Sequence, residues 1–150
     1  MPPALNFNVF NAPEKPIVGD RPYGLGATMA WDPMTATLIY GSRDAVLVDP
    51  LTTVPEAEAL AAWVRLHHRN LTTIYITHGH LDHFAGASVL LQHFPEATVI
   101  ATAHAVDFAR TQIPAFYRTL LPGQMPTSIV TPEPYEGGTF ELEGHELRII

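Results

Sequence analysis

An apolar, β-branched run, LTTIYIT at 71–77, leads directly into a histidine-rich segment, HGHLDHFAG at 78–86. Runs of this composition favour a buried strand, so the polar segment is expected at the end of a core strand. Its first six positions hold four potential metal ligands: His78, His80, Asp82 and His83. With 8 His in 150 residues, the spacing H-x-H-x-D-H arises by chance in roughly one such chain in a thousand. A histidine-rich surface loop is the alternative, and the spacing favours a metal site.

The residue types and their spacing suit zinc and similar ions, which bind neutral imidazole nitrogens and carboxylate oxygens. His78 and His80 are two positions apart, so in an extended segment both side chains leave the same face and can bind one ion. Gly79 has no Cβ, which lets the loop between them bend. Asp82 and His83 follow as the chain turns away and are expected to reach a second ion. Two ions about 3.5–4 Å apart can hold a bridging hydroxide, which is a nucleophile.

Composition narrows the class of protein. The length of 150 residues fits one domain, and 47% hydrophobic with 15% charged residues is typical of a soluble globular chain. The net charge of −7 and the lack of any basic run argue against a nucleic-acid partner. The chain has no cysteine, hence no disulfide and no thiolate ligand. Neither a secretory signal nor an apolar run of roughly 18 residues is present, so we expect a cytoplasmic protein without a membrane partner. A signal peptide already removed would leave the same sequence.

Short strands and helices alternate from residue 35 onward. The predicted strands are 35–41, 45–50, 71–77 and 97–102, followed by a hairpin over 139–150 that turns at Glu143 and Gly144. The predicted helices are 56–70, with Thr52 or Thr53 as the N-cap, then 86–94, and then one or two helices over 103–121 broken at Pro114. In the first helix Ala57, Leu60, Ala61 and Val64 form one stripe that should lie against a sheet.

These features resemble the metallo-β-lactamase superfamily, whose metal-binding sequence H-x-H-x-D-H has a preceding Thr and a following Gly. Thr77 and Gly86 occupy those two positions, and the resemblance covers nearly all of residues 35–150. It implies an α/β (α+β) fold, a four-layer αββα sandwich with the helices outside. Residues 1–150 would be the N-terminal portion of a single such domain. The fold is expected to be truncated at the C-terminus, because the family's remaining ligands follow the point where this chain stops and Ile150 falls within an apolar strand.

The resemblance also implies a function. His78 and His80 would bind the first zinc-type ion, and Asp82 with His83 the second, with iron or manganese as other candidate ions. A metal-bound hydroxide would then attack an ester, thioester, lactone or lactam of a small-molecule substrate, and Asp82 would orient that hydroxide as the catalytic residue. A homo-oligomer is compatible with the resemblance. The alternatives are an iron-dependent oxidoreductase on the same scaffold and a catalytically incomplete fragment that holds metal weakly.

Residues outside the motif are expected to play smaller parts. The resemblance implies that Asp49 and Thr77 support the metal loop through hydrogen bonds, and the alternative for Asp49 is a turn carboxylate before Pro50. None of the remaining histidines is expected to bind the metal. His67 and His68 are expected at the solvated end of a helix, and the others are His93, His104 and His145. Phe116 and Tyr117 are expected in the core. Tyr23 and Trp31 are expected at the substrate edge.

Overall fold

The computed structural model describes residues 4–17 and 30–150. Within these ranges the strands, numbered in chain order, are β1 Asn6–Asn11, β2 Lys15–Pro16, β3 Ala30–Trp31, β4 Thr35–Tyr40, β5 Asp44–Val48, β6 Asn70–Tyr75, β7 Thr98–Thr102, β8 Glu133–Tyr135, β9 Thr139–Leu142 and β10 His145–Arg148. The α-helices are α1 Val54–Arg65, α2 Ala87–His93, α3 Ala103–Arg110 and α4 Pro114–Leu120, and a 3-10 turn covers Leu81–His83. None of these helices is long and apolar enough to cross a bilayer.

Six strands form a mixed sheet in the order β1-β4-β5-β6-β7-β8. The pairs β1–β4 and β4–β5 are antiparallel, whereas β5–β6, β6–β7 and β7–β8 are parallel. A parallel connection needs a crossover, and α1 and α2 supply the two crossovers around β6. The carboxyl ends of β5, β6 and β7 therefore meet at one edge of the sheet, which we call the carboxyl edge.

One face of this sheet packs against helices. Alternate strand residues such as Leu38, Leu47 and Ile74 are completely buried in one cluster with the apolar stripe of α1. The helix begins directly after one of the two predicted N-caps, because Thr53 forms a capping box with Glu56 and Pro55 lies in the first turn. It ends at Arg65, so the predicted end at residue 70 is wrong, because Asn70 begins β6. Between the two candidate caps, the structure selects Thr53. The buried residues of α1 include the predicted stripe of Ala57, Leu60, Ala61 and Val64.

The β9–β10 hairpin contacts the opposite face of the sheet. There the Phe140 ring stacks on Tyr75 with 6.0 Å between centroids. A cavity of about 290 Å³ remains between hairpin and sheet, and apolar residues such as Ile39, Val46 and Leu147 line it. The predicted mixed α/β fold is thus confirmed. The described residues contribute a helical layer, a six-stranded sheet and a hairpin on the sheet's other face.

Most predicted elements are confirmed. The strand expected over 71–77 ends at Tyr75, and the two following residues lead into the histidine-rich segment. The segment 103–121 forms two helices, and Pro114 begins the second. Tyr23 lies outside the described residues.

His67 differs from its expected position at a solvated helix end. Its ring packs against Trp63 and Tyr40, with centroids 4.5 and 5.2 Å away, and its Nε2 lies 3.0 Å from the amide nitrogen of Asn8. The end of α1 lies close enough to β1 and β4 for this ring to fill the gap. His68, by contrast, is exposed as expected.

A single carboxylate ties the hairpin to the sheet. Glu143, in the β9–β10 turn, accepts hydrogen bonds from the backbone nitrogens of Ser42, Arg43 and Asp44 at 3.0, 2.6 and 2.7 Å. The Ser42 hydroxyl donates a fourth bond at 2.6 Å. The hydroxyl bond and the three backbone bonds lower the pKa of Glu143 to about 2. The turn itself needs left-handed backbone at Glu143 and Gly144, with φ of 48° and 82°.

We expect this contact to make stability depend on pH in a defined window. The folded pKa of Glu143 is lower than its ordinary value, so its contribution is complete above about pH 4.5 and is lost as the pH falls towards 2. Glu143→Gln removes the charge. The difference in urea midpoint between wild type and Glu143→Gln should be largest at pH 6–7 and shrink continuously below about pH 4.5. A difference that does not change with pH would contradict this account.

Candidate metal centre

The candidate ligands lie at the carboxyl edge of the sheet. Asp49 follows β5 directly, and Thr77 and His78 follow β6 within three residues of its end. The histidine-rich loop of residues 78–86, here called the motif loop, then turns through Leu81–His83 into α2. Ligand sites of α/β sheets commonly lie beyond this edge, where the loops after neighbouring strands converge.

The Asp49 carboxylate joins three parts of this edge. Its Oδ1 accepts a hydrogen bond from the backbone nitrogen of Thr77 at 2.8 Å, and its Oδ2 accepts one from the Thr77 hydroxyl at 2.7 Å. The same Oδ2 lies 2.9 Å from Nδ1 of His83. Since an ionised carboxylate can only accept, His83 donates through Nδ1. The hydrogen bonds expected of Asp49 and Thr77 are therefore present, and their role in holding a metal remains a prediction.

The rings of His78 and His83 lie close together, with centroids 4.0 Å apart. Burial lowers the pKa of His78, and the neighbouring His83 adds to that effect. For His83, burial acts in the same direction, but the hydrogen bond and charge of Asp49, together with the charge of Asp82, outweigh it and raise the pKa. The Thr77 hydroxyl lies 2.9 Å from Nδ1 of His78. In both rings Nδ1 is thus engaged, which leaves Nε2 for another partner.

Among the described residues, one group could hold a metal ion: Asp49, His78 and His83 each offer a ligand atom, and these atoms lie within 4.8 Å of one another. The imidazole nitrogens of His78 and His83 suit a zinc-type ion, and the Asp49 carboxylate, which accepts a hydrogen bond from Nδ1 of His83, suits the place behind a histidine ligand. The residues present therefore fit a zinc-type ion.

His80 and Asp82 lie outside that group. The His80 ring stands edge-on to His78 with 5.0 Å between centroids, and it contacts Phe108 at the same separation. Asp82 is close enough for its charge to contribute to the raised pKa of Tyr117, although burial contributes more. The predicted binding of one ion by His78 with His80, and of a second ion by Asp82 with His83, stays a prediction.

Two glycines let the motif loop pack against neighbouring backbone. A Cβ on Gly79 would lie 2.5 Å from both the Ala105 carbonyl oxygen and the Ala109 nitrogen of α3. A Cβ on Gly86 would collide with the Pro50 carbonyl oxygen. Gly79 has no left-handed φ, so the bending freedom expected of it is not the reason for a glycine here. Close approach to α3 is the reason.

Side chains outside the motif hold the loop from two sides. Thr52 is completely buried, and its hydroxyl donates a 2.8 Å hydrogen bond to the carbonyl oxygen of Asp82. On the other side Gln112 accepts hydrogen bonds from the Leu81 nitrogen and the Tyr117 hydroxyl, both at 3.3 Å. Thr52 follows Asp49 and Leu51, which have left-handed φ values of 56° and 66°. Such a backbone is uncommon for these residue types, and it turns this short segment beneath the motif loop.

Sequence reasoning did not assign Thr52 and Gln112 to the site. The sequence indicates Thr52 only as a candidate helix cap, and nothing in its sequence neighbourhood indicates a partner in the motif loop. Tyr117 is buried as expected, but Phe116 is about half exposed, so its predicted place in the core is wrong. Trp31 packs against Tyr117, with 5.8 Å between centroids.

Comparison with known proteins agrees with this geometry. Residues 29–149 match the family model described as the Metallo-beta-lactamase superfamily. The chain belongs to this superfamily. A hydroxyacylglutathione hydrolase from Salmonella typhi is 40% identical over 68 residues, which cover 45% of this chain and 26% of that relative. The match therefore spans about a quarter of the length of this curated superfamily member.

Solved structures of the superfamily share the fold. The BLEG-1 B3 metallo-beta-lactamase superposes with a TM-score of 0.58 at 18% identity, covering 94% of this chain and 59% of that one. SMB-1, solved with bound 2-mercaptoethanesulfonate, gives a TM-score of 0.57 at 26% identity, covering 77% of this chain and 46% of that one. The resemblance stated from the motif is thus confirmed.

The contact of Gly79 with α3 can be tested by adding one methyl group. In Gly79→Ala the new Cβ meets two backbone atoms, which cannot move cheaply, so we expect the free energy of unfolding to fall by about 2 kcal/mol. Gly138→Ala is the matched control, because its Cβ meets no heavy atom within 4 Å and should change stability by less than about 0.5 kcal/mol. Urea denaturation of the metal-free proteins measures both. Equal effects of the two substitutions would contradict the close approach.

A second test concerns the support of the motif loop by Thr52. Thr52→Val keeps the shape but leaves the Asp82 carbonyl without this donor, so we expect a loss of about 1–3 kcal/mol in stability and weaker metal binding. Thr52→Ser keeps the hydroxyl and should restore most of the metal affinity. Competition with a chromophoric chelator measures that affinity. If the Thr52→Ser and Thr52→Val variants bind metal equally tightly, the hydrogen bond from Thr52 does not position the motif loop.

Proposed function

We propose that the protein is a metal-dependent hydrolase of the metallo-β-lactamase superfamily that cleaves a small-molecule thioester, with an ester, lactone or lactam as the related substrate classes. One observation carries the proposal: the Asp49 carboxylate, His78 and His83 converge within 4.8 Å at the carboxyl edge of the sheet. Superfamily membership supports it, because enzymes named as hydrolases are among the relatives.

We propose distinct roles for the converging side chains. Asp49 already accepts three short hydrogen bonds, so its proposed role is to position Thr77 and His83 rather than to bind the ion directly. His78 and His83 keep Nε2 available, and with His80 and Asp82 they form the proposed ligand set. Zinc ions bound by this set would supply a Lewis acid that polarises the substrate carbonyl and lowers the pKa of water. Asp82 is proposed to accept a hydrogen bond from the attacking water and fix its direction.

Two features favour a small thioester over other substrates. The name of the Salmonella typhi relative describes removal of a hydroxyacyl group from glutathione, and an acyl group on the glutathione thiol is a thioester. The net charge of −7 disfavours a polyanionic substrate such as nucleic acid, which needs a basic surface. A cytoplasmic location and zinc as the resident ion are parts of the same proposal.

Replacing Asp82 tests the proposal most directly. Asp82→Asn keeps the size and one oxygen but removes the charge, so turnover should fall on the order of a hundredfold or more. The measurement is steady-state hydrolysis of thioester, lactone and lactam substrates by the zinc-reconstituted protein, with metal content determined by mass spectrometry for each variant. Visible absorption of the purified protein distinguishes this zinc hydrolase from the alternative, an iron-dependent oxidoreductase, because bound iron absorbs visible light and zinc does not.

His68→Asn is the matched control. His68 is exposed, precedes the start of β6 and so lies at the opposite edge of the sheet, and asparagine tolerates its left-handed φ of 51°. It should leave turnover and metal content unchanged. Full activity in Asp82→Asn would refute the role of Asp82, and absence of hydrolysis in the metal-loaded wild type would refute the function.

A further inference from the structure

Three large apolar side chains lie exposed on the connection between α3 and α4. Phe108, Ile113 and Phe116, here called the apolar patch, are 41%, 66% and 49% exposed. Seven large hydrophobic side chains are exposed among the described residues, and three of them fall within this stretch of nine positions. Single exposed apolar residues are ordinary, whereas a group of them marks a surface that binds something.

The two aromatic members of the apolar patch are linked to the candidate metal centre by ring contacts. The Phe108 ring stands edge-on to the His80 ring, with 5.0 Å between centroids. Phe116 contacts the ring of Tyr117 at 5.8 Å, and the Tyr117 hydroxyl shares Gln112 with the backbone nitrogen of Leu81. Phe108 thus contacts the motif loop directly, and Phe116 is linked to it through Tyr117 and Gln112. An apolar group bound here would lie beside the proposed reaction centre.

Charges on the same helices are already engaged. Arg110 pairs with Asp107 at 3.1 Å, and Arg118 donates to the carbonyl oxygens of Pro126 and Thr127 at 3.1 Å each. Arg118 is therefore occupied, and Arg110 with Asp107 forms a neutral pair at the surface. The contact that this surface offers is apolar.

We propose that the apolar patch binds an apolar group attached next to the scissile carbonyl, so that the preferred substrates are thioesters with a medium-chain or aromatic substituent. The inference rests on the proposed hydrolase function and names its substrate class. The apolar group can belong to the acyl part or to the thiol part, and the two differ only in which side of the carbonyl faces the patch.

Two substrate series distinguish these cases. In the first, acyl chains from acetyl to octanoyl are carried on one polar thiol; in the second, acetyl is carried on thiols of increasing apolar size. A fully buried methylene would raise kcat/KM about fourfold. A patch covers only one side of the chain, so we expect about twofold per methylene in one of the two series. Calorimetric titration of the zinc-loaded protein with acetate, hexanoate and octanoate provides a readout that needs no turnover.

The variants remove the patch one side chain at a time. Phe108→Ala and Phe116→Ala should each lower the ratio of octanoyl to acetyl kcat/KM, or the matching ratio in the thiol series, about fivefold or more. Phe7→Ala is the matched control: Phe7 is 68% exposed on β1, paired with Ile39, and should leave the ratio unchanged. If Phe108→Ala does not fold, Ile113→Ser serves instead, because Ile113 is the N-cap of α4 and serine is favoured there.

The outcomes separate this inference from the function on which it rests. Hydrolysis with no dependence on chain length in either series overturns the inference and keeps the hydrolase. A dependence on chain length that is unchanged in both Phe108→Ala and Phe116→Ala also overturns the inference. If the wild type does not hydrolyse the substrates but binds octanoate, and the variants weaken that binding, the hydrolase is overturned and the apolar site is kept. If it neither hydrolyses the substrates nor binds octanoate, the hydrolase and the apolar site are both overturned. If the variants instead abolish self-association in sedimentation and leave selectivity unchanged, the patch is a contact between copies of the chain.

Discussion

The carboxylate of Asp49 is the group on which the candidate site depends. It spans the gap between the ends of two parallel strands and binds the backbone of Thr77 and the ring of His83 at once. Neighbouring parallel strands place their loops at a common edge, but the ladder of hydrogen bonds stops at the strand ends. A buried carboxylate continues the connection beyond the ladder. It also determines which nitrogen of His83 points away, so backbone placement and imidazole orientation have one cause.

Close backbone packing provides the second constraint. Gly79 lies against α3, and Gly86 lies against the segment that follows Asp49. The motif loop therefore contacts backbone on two sides, while Thr52 and Gln112 bind its carbonyl and amide groups. A loop of this kind keeps its shape through its surroundings rather than through regular hydrogen bonding of its own. Precise placement of ligands requires such support.

The sequence was most informative where signals were local. The N-cap and Pro55 of α1 and the turn at Glu143 and Gly144 are each contained within a few residues, and the elements they predicted are present. The spacing H-x-H-x-D-H carried the resemblance to the superfamily, which the family model confirms. What could not be predicted depends on contacts across the fold. Glu143 binds Ser42, about a hundred positions earlier, and no local pattern connects them. The ring of His67 packs against Tyr40 and Trp63, and no single segment of the sequence indicates how close β4 lies to α1. Asp49 meets His78 and His83 because β5 lies parallel beside β6, with Val48 opposite Tyr75, and no local pattern indicates that pairing.

The tether at Glu143 lies at the edge of the sheet opposite Asp49, since the β4–β5 turn precedes β5 and Asp49 follows it. The two tasks of the fold are thereby separated in space. Contact between the hairpin and the sheet is anchored at one edge, and the candidate metal centre lies at the other. Loops at the carboxyl edge, including the α3–α4 connection, can change length and composition without disturbing the anchor. A scaffold divided in this way can acquire new specificities by exchange of loops while its assembly is inherited unchanged.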